Sequence, residues 1–213
     1  VRAKLLLGHD SKLIRPTDNM TRAEAAAIFA RLVSEGKGEK IKGKASFDDV
    51  DSDAWYASYV GYLEKYDIIK GYEDDTFRPE QSVTRAEFVT MTVRFYDLFN
   101  NVKTVSNTKK YSDVSSKHWA IQLISFATEE KWLNGYADGT FKPDIFITRA
   151  EVVTVVNRAT GRVADSSYIN KNLEVLNKFT DLKNNSYWAF YDIMEAANDH
   201  KAVVNTSGET WSK

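Results

Sequence analysis

The stretch Gly135-Tyr-Ala-Asp-Gly-Thr-Phe-Lys-Pro143-Asp-Ile-Phe-Ile-Thr-Arg-Ala-Glu151 decides the fold, because the chain carries its frame three times. Gly71-Tyr-Glu-Asp-Asp-Thr-Phe-Arg-Pro79 leads to Thr84-Arg-Ala-Glu87, and Gly8 and Pro16 lead to Thr21-Arg-Ala-Glu24. Each glycine precedes its threonine by 13 positions (21−8, 84−71, 148−135) and each proline by 5 (21−16, 84−79, 148−143), which uses all 3 prolines. The period is 63 to 64 residues (84−21, 148−84). A period of this size marks a stacked supersecondary unit that cannot bury its apolar face alone.

Between these segments lies a second recurring half. Phe47-Asp-Asp-Val-Asp-Ser-Asp-Ala-Trp55 is echoed by Tyr111-Ser-Asp-Val-Ser-Ser-Lys-His-Trp119 and by Phe179-Thr-Asp-Leu-Lys-Asn-Asn-Ser-Tyr-Trp188. Thr followed three residues later by Glu is a capping box, so a helix is expected to start at each Thr-Arg-Ala-Glu. Ala25, Ile28, Phe29 and Leu32, then Phe88, Met91, Thr92 and Phe95, then Val152, Val155 and Val156 recur at helical spacing. The Trp halves show the same spacing in Trp55, Tyr59, Tyr62, Leu63 and Tyr66, in Trp119, Leu123, Phe126 and Ala127, and in Trp188, Tyr191, Ile193 and Ala196. Gly71 and Gly135 follow these helices and are expected as C-terminal stops at positive φ. Segments 34–46, 99–110 and 161–178 and the tail after Lys201 stand outside the pattern.

The glycine loop, the Thr-Arg-Ala-Glu box and the Phe-x-Asp…Trp segment together resemble a triplet of S-layer homology repeats, the modules that hold surface proteins on bacterial cell walls. The resemblance implies a mainly α fold of three helix-loop-helix repeats closed into one pseudo-threefold domain. Periodicity alone equally allows an open solenoid. On this reading residues 1–98 hold the first unit (halves 8–33 and 47–70) and the start of the second, 71–134 the second, 135–200 the third, and 201–213 a tail. The resemblance also implies an extracellular location in the cell wall or S-layer. The partner the resemblance implies is an anionic, pyruvylated secondary cell-wall polysaccharide or a related peptidoglycan-linked glycan. A helical protein–protein scaffold in S-layer assembly is the alternative. No secretory leader is visible and the chain opens on Val1, so an exported protein of this kind is expected to be part of a longer polypeptide.

Composition narrows the field. With 29 basic and 30 acidic residues the net charge is −1, which gives no support to a nucleic-acid surface. No apolar run approaches the roughly 20 residues that span a bilayer. Cysteine is absent, which removes disulfides and thiol chemistry. His9, His118 and His200 share no motif, and His-Glu-x-x-His, Gly-x-Ser-x-Gly and phosphate-loop patterns are missing, so the chain is read as a non-enzyme without cofactors. Asp49, Asp51 and Asp53 invite a calcium loop, but the Gly and Glu that such a loop needs at its sixth and twelfth positions are Ala54 and Val60. They are read as helix caps and a solvated turn, and no metal is expected.

Arg22, Arg85 and Arg149 fall in the first turn of their helices, where a cation opposes the helix dipole. An anionic ligand there would meet backbone N–H groups and a guanidinium together. The bland alternative pairs each arginine with Asp49, Asp113 or Asp181. The resemblance favours the ligand. Tyr72 and Tyr136, with Gly71 and Gly135 beside them, are the groove candidates from the neighbouring repeat. Trp55, Trp119 and Trp188 offer flat faces to a sugar ring, against a competing role as core residues. The first loop departs from the others, with His9 for tyrosine and Ser11, Lys12 and Leu13 in place of the Asp-x-Thr turn. The Arg22 groove is therefore expected to differ most in affinity.

Overall fold

The computed structural model describes residues 4–5, 12–102, 111–176, 179–182, 185–205 and 208–212. Gly8, His9 and Ser11 lie outside the described residues. The chain divides into a central unit, 19–147, and a terminal unit built from 1–18 and 148–213. The fold is mainly α. No helix among the described residues is long and apolar enough to cross a membrane.

The central unit holds α1 (Arg22–Lys37), α2 (Ala57–Glu64), α3 (Arg85–Asn100) and α4 (Ile121–Glu129). Helices α1 and α3 begin as the capping boxes predict. Thr21 and Thr84 accept from Glu24 and Glu87 N–H, and each glutamate accepts the threonine N–H in return. Such a cap stabilises by about 1 kcal/mol. Helix α1 packs on α2 and α3, and α3 on α4. The rings of Phe29 and Phe88 meet at 5.4 Å and those of Phe29 and Phe95 at 5.8 Å, so the predicted stripes form the core.

The residues just ahead of the three threonines close a backbone cycle. Met20 N–H donates to the Ile147 carbonyl (3.0 Å), Val83 N–H to Met20 (2.9 Å) and Ile147 N–H to Val83 (3.1 Å).

The terminal unit holds α5 (Arg149–Thr160), α6 (Ser166–Asn172), α7 (Phe190–Ala197) and the antiparallel strands β1 (Lys201–Asn205) and β2 (Gly208–Ser212). Thr148 and Glu151 form the third capping box. Helix α5 packs on α7, and α6 on α7 and β2. The N-terminal segment is part of this unit: Leu5 N–H donates to the Ala196 carbonyl and Thr180 N–H to that of Lys12. Two elements were not foreseen. Helix α6 lies in the segment 161–178, and the tail forms a hairpin with Ala202 opposite Trp211.

The Trp halves differ from expectation. The Trp-side helices start at Ala57, Ile121 and Phe190 with no side-chain cap. Asp51 accepts from Asp53 N–H in a local turn, and Asp49 binds elsewhere, so neither caps α2. Trp55, Trp119 and Trp188 are 56%, 62% and 61% exposed, which removes them from the core. In α4 the buried face runs through Ile121, Ile124 and Thr128, while Leu123 and Phe126 are only half-buried.

The glycines also act differently from the C-cap reading. Positive φ falls on Asp67 (55°) and Lys131 (60°), not on Gly71 or Gly135. A Cβ at Gly71 would collide with the Phe47 ring and the Thr76 carbonyl, and one at Gly135 with the Tyr111 ring and the Thr140 carbonyl. Both glycines therefore admit the aromatic of the preceding Phe-x-Asp segment.

Candidate functional site

One aspartate per repeat sets each glycine loop. Asp49 accepts from Phe77 and Arg78 N–H at 2.7 Å each, and Asp113 from Phe141 and Lys142 at 2.7 and 2.6 Å. In the terminal unit Asp181 accepts from Ile14 (3.0 Å) and Arg15 (2.6 Å). The second donor of each pair precedes a proline and has positive φ: Arg15 51°, Arg78 55°, Lys142 56°. That conformation is sterically costly for such a residue, and the carboxylate holding two successive N–H groups sustains it. These aspartates therefore fix the backbone and are not the arginines' counter-ions.

The arginines are buried. Arg22, Arg85 and Arg149 are 3%, 4% and 2% exposed. Each Nε donates to a loop carbonyl: Arg22 to Phe77 (2.7 Å) and Arg85 to Phe141 (3.0 Å) of the next loop, Arg149 to Ile14 (2.8 Å) of the first. Arg22 Nη2 reaches the Lys70 carbonyl, and Arg85 Nη2 that of Asn134. The helix-start N–H groups are engaged as well. Arg22 and Ala23 donate to Gln81 and Pro79, Arg85 and Ala86 to Ile145 and Pro143, and Arg149 and Ala150 to Asp18 and Pro16. An anion does not find open N–H groups at these helix ends. Any charge recognition falls to side chains around them.

In the central unit those side chains frame a hollow of about 220 Å³. Arg22 forms its floor with Gly71 and Tyr72 of the second loop, Glu87 and Arg94 of α3, and Trp119. Arg22 Nη1 pairs with Glu87 Oε1 at 3.0 Å, and the Tyr72 hydroxyl donates to the same oxygen at 2.7 Å. Burial above all, then the adjacent Glu87 carboxylate, pushes the Tyr72 pKa up to about 12, so it stays a donor at any physiological pH. Arg22 also lies 4.8 Å over the Tyr72 ring and 4.7 Å over that of Phe77.

Because Arg22 and Glu87 cancel, the positive charge of the hollow comes from half-buried Arg94, with exposed Lys70 at the rim. Arg94 Nη1 has a long contact of 3.5 Å to the Ile68 carbonyl. Burial weighs against its charge, and Asp67 offsets this in part. Arg94 was not among the candidates read from sequence, although the pattern was there. Arg31, Arg94 and Arg158 all stand ten residues after their threonine (31−21, 94−84, 158−148).

The sequence candidates are thus distributed unevenly. Arg22, Gly71, Tyr72 and Trp119 meet around one hollow. Arg85 lies 5.0 Å from the Tyr136 ring centre and hydrogen-bonds Asn134, the neighbour of Gly135. Trp55 packs edge-on against Tyr56 and Tyr59, and Trp188 lies 6.0 Å from Tyr187. The Arg22 hollow takes its loop from repeat two, which is intact. The departing first loop receives Arg149 through Ile14. Among the described residues, then, the first loop meets Arg149 and the second loop meets Arg22.

Capped helices paired with Trp-side helices, with glycine loops held by buried arginines, make a repeat built from helix pairs. Residues 46–89 and 110–153 match the S-layer homology domain. Each matched span contains a Trp half followed by a Thr-Arg-Ala-Glu half, the two halves that Asp49 and Asp113 tie together. The chain is 34% identical over 98% of its length to "Cell surface glycoprotein 1" and 36% identical over 97% to "Cellulosome-anchoring protein", both of Acetivibrio thermocellus. It is 35% identical over 72% of its length to "Surface layer protein" of Brevibacillus choshinensis. The chain spans 9%, 45% and 13% of those relatives. It belongs to the S-layer homology family, a family of the bacterial cell surface and wall.

Proposed function

We propose that the chain anchors a longer surface protein non-covalently to the bacterial cell wall by binding an anionic, pyruvylated secondary cell-wall polysaccharide. The carrying observation is the Arg22 hollow: a cationic, partly dried recess with an exposed indole at its edge. A ketal carboxylate suits Arg94, whose charge has no close carboxylate partner comparable to Glu87 on Arg22. Trp119 offers its face to the C–H side of a pyranose. The buried Arg22 positions Tyr72 and Glu87 as hydrogen-bonding groups on the other wall. The reading assigns no catalysis to the chain.

Closure of the three repeats into one pseudo-threefold domain belongs to the same proposal. The Met20–Val83–Ile147 cycle and the Asp181 link from the last Trp half to the first loop support it. A polymer presents many ketals, so several weak grooves would give strong retention through effective concentration.

The test is co-sedimentation with native sacculi, sacculi stripped of polymer and sacculi lacking ketal pyruvate. Binding is expected only to the first. Arg94→Gln should weaken it about tenfold or more, as loss of a hydrogen bond to a charged group does. Undiminished binding to walls bearing only neutral glycan overturns the proposal.

A further inference from the structure

The cation ahead of each loop proline is neutralised in two loops and not in the first. Arg78 pairs with Asp74 at 2.9 Å and lies 3.9 Å from the Tyr72 ring centre. Lys142 stands 3.6 Å from Asp138 and 4.3 Å from the Tyr136 ring centre. The acid lies four positions before the cation (78−74, 142−138) and the tyrosine six (78−72, 142−136). At those places before Arg15 the sequence has Ser11 and His9, so acid and phenol are both replaced. Asp181 holds the backbone here, with its two oxygens on the Ile14 and Arg15 N–H groups. Among the described residues no carboxylate pairs with the exposed Arg15 guanidinium.

Two more departures fall beside it. Asp18 N–H donates to the Arg15 carbonyl at 3.1 Å and closes a turn over Pro16 and Thr17. Gln81 and Ile145 close the same turn in the other loops, so only the first places an acid there. The third Trp half is one residue longer than its fellows (188−179 against 55−47 and 119−111) and carries Tyr187 where they have Ala54 and His118. Arg15, Thr17, Asp18, Asp181 and Tyr187 line one recess of about 500 Å³, all within the terminal unit. Pockets for small organic ligands run to about 300–1,000 Å³. Burial pushes the Tyr187 pKa above its ordinary value, so the hydroxyl is kept as a donor.

The lining selects the occupant. An unpaired guanidinium matches a carboxylate through two parallel hydrogen bonds. The Asp18 carboxylate only accepts, so it repels a bare anion and takes hydroxyl protons. The ends of one turn lie within about 7 Å of each other, a span that a single sugar ring bridges. Tyr187 adds a flat face with a hydroxyl at its tip. We propose that Arg15, Thr17, Asp18 and Tyr187 bind an acidic sugar of the hexuronate kind, a pyranose with one carboxylate on its ring. The carboxylate sits on Arg15 and the ring hydroxyls meet Asp18 and Thr17. The recess shares no residue with the Arg22 hollow, so it stands independently of the pyruvyl reading.

The experiment titrates the full chain with methyl β-D-glucuronide, followed by amide chemical shifts. Methyl β-D-glucoside, of the same shape without the charge, and inorganic phosphate, the charge without the ring, are the controls. The glucuronide should shift the amides of Arg15, Thr17, Asp18 and Tyr187 in the wild-type chain, a readout that needs no variant. The glucoside and phosphate should each bind about tenfold more weakly or worse. Arg15→Gln should weaken the glucuronide about tenfold or more, as loss of a hydrogen bond to a charged group does, and Arg94→Gln should leave it unchanged. No glucuronide binding, shifts confined to other residues, a glucoside or phosphate bound equally well, or affinity retained in Arg15→Gln overturns the site.

Discussion

The Thr-Arg-Ala-Glu half and the Trp half are equally regular in sequence and opposite in placement. The first buries what it repeats. Arg22, Arg85 and Arg149 are buried and hold glycine loops, the next loop for the first two and the first loop for Arg149, by carbonyl hydrogen bonds. The second exposes what it repeats, with three tryptophans more than half open to solvent ahead of helices that have no side-chain cap. Repetition alone reports that a position is constrained. Burial ties the first half's constraint to architecture; the second half keeps its repeated indoles open to solvent.

Substitutions can break that contrast. The largest effect should come from Arg85→Ala, which leaves the Phe141 and Asn134 carbonyls without their donor. Removing a buried charged donor costs about 3 kcal/mol, which for a chain of this size lowers the melting temperature by roughly 6–12 °C. Denaturant unfolding checks it. A stable Arg85→Ala chain with weakened wall binding would move this arginine from architecture to recognition. Thr84→Ala should follow at about 1 kcal/mol, the usual worth of an N-cap, measured the same way.

Trp119→Ala should change stability by less than about 0.5 kcal/mol while weakening wall binding about tenfold, read by co-sedimentation. Loss of both together would place the indole in the packing after all. The smallest effect is alkaline. Burial pushes Tyr72 and Tyr62 up to about 12, against the ordinary value near 10. A raised folded pKa means that this stability is complete below pH 10 and lost as the pH rises through 12. Stopped-flow tyrosinate absorbance should show late-ionising groups in the native chain, one fewer in Tyr72→Phe.

Much of the fold was legible because local rules suffice for it. The capping box fixes where α1, α3 and α5 begin, and the 3- and 4-residue spacing fixes which face is buried. What local rules do not carry is the partner of each group. Nothing in Thr21-Arg-Ala-Glu24 says that Arg22 will meet Glu87, or that Asp181 will hold Ile14 and Arg15, since these pairs are 65 and 167 or 166 residues apart. The arginines stand out in the sequence because a cation there opposes the helix dipole. That opposition is offset by loop carbonyls, Phe77, Phe141 and Ile14, which only the folded chain brings to them. Arg94 is legible from its ten-residue offset after Thr84 but is overshadowed by the stronger Thr-Arg-Ala-Glu pattern. The hairpin was missed because β1 has an exposed face and no alternation to mark it.

The cycle at Met20, Val83 and Ile147 is spent on itself: each residue gives its amide proton to one neighbour and receives at its carbonyl from the other. Proline is therefore barred from all three positions, since it has no N–H to pass on.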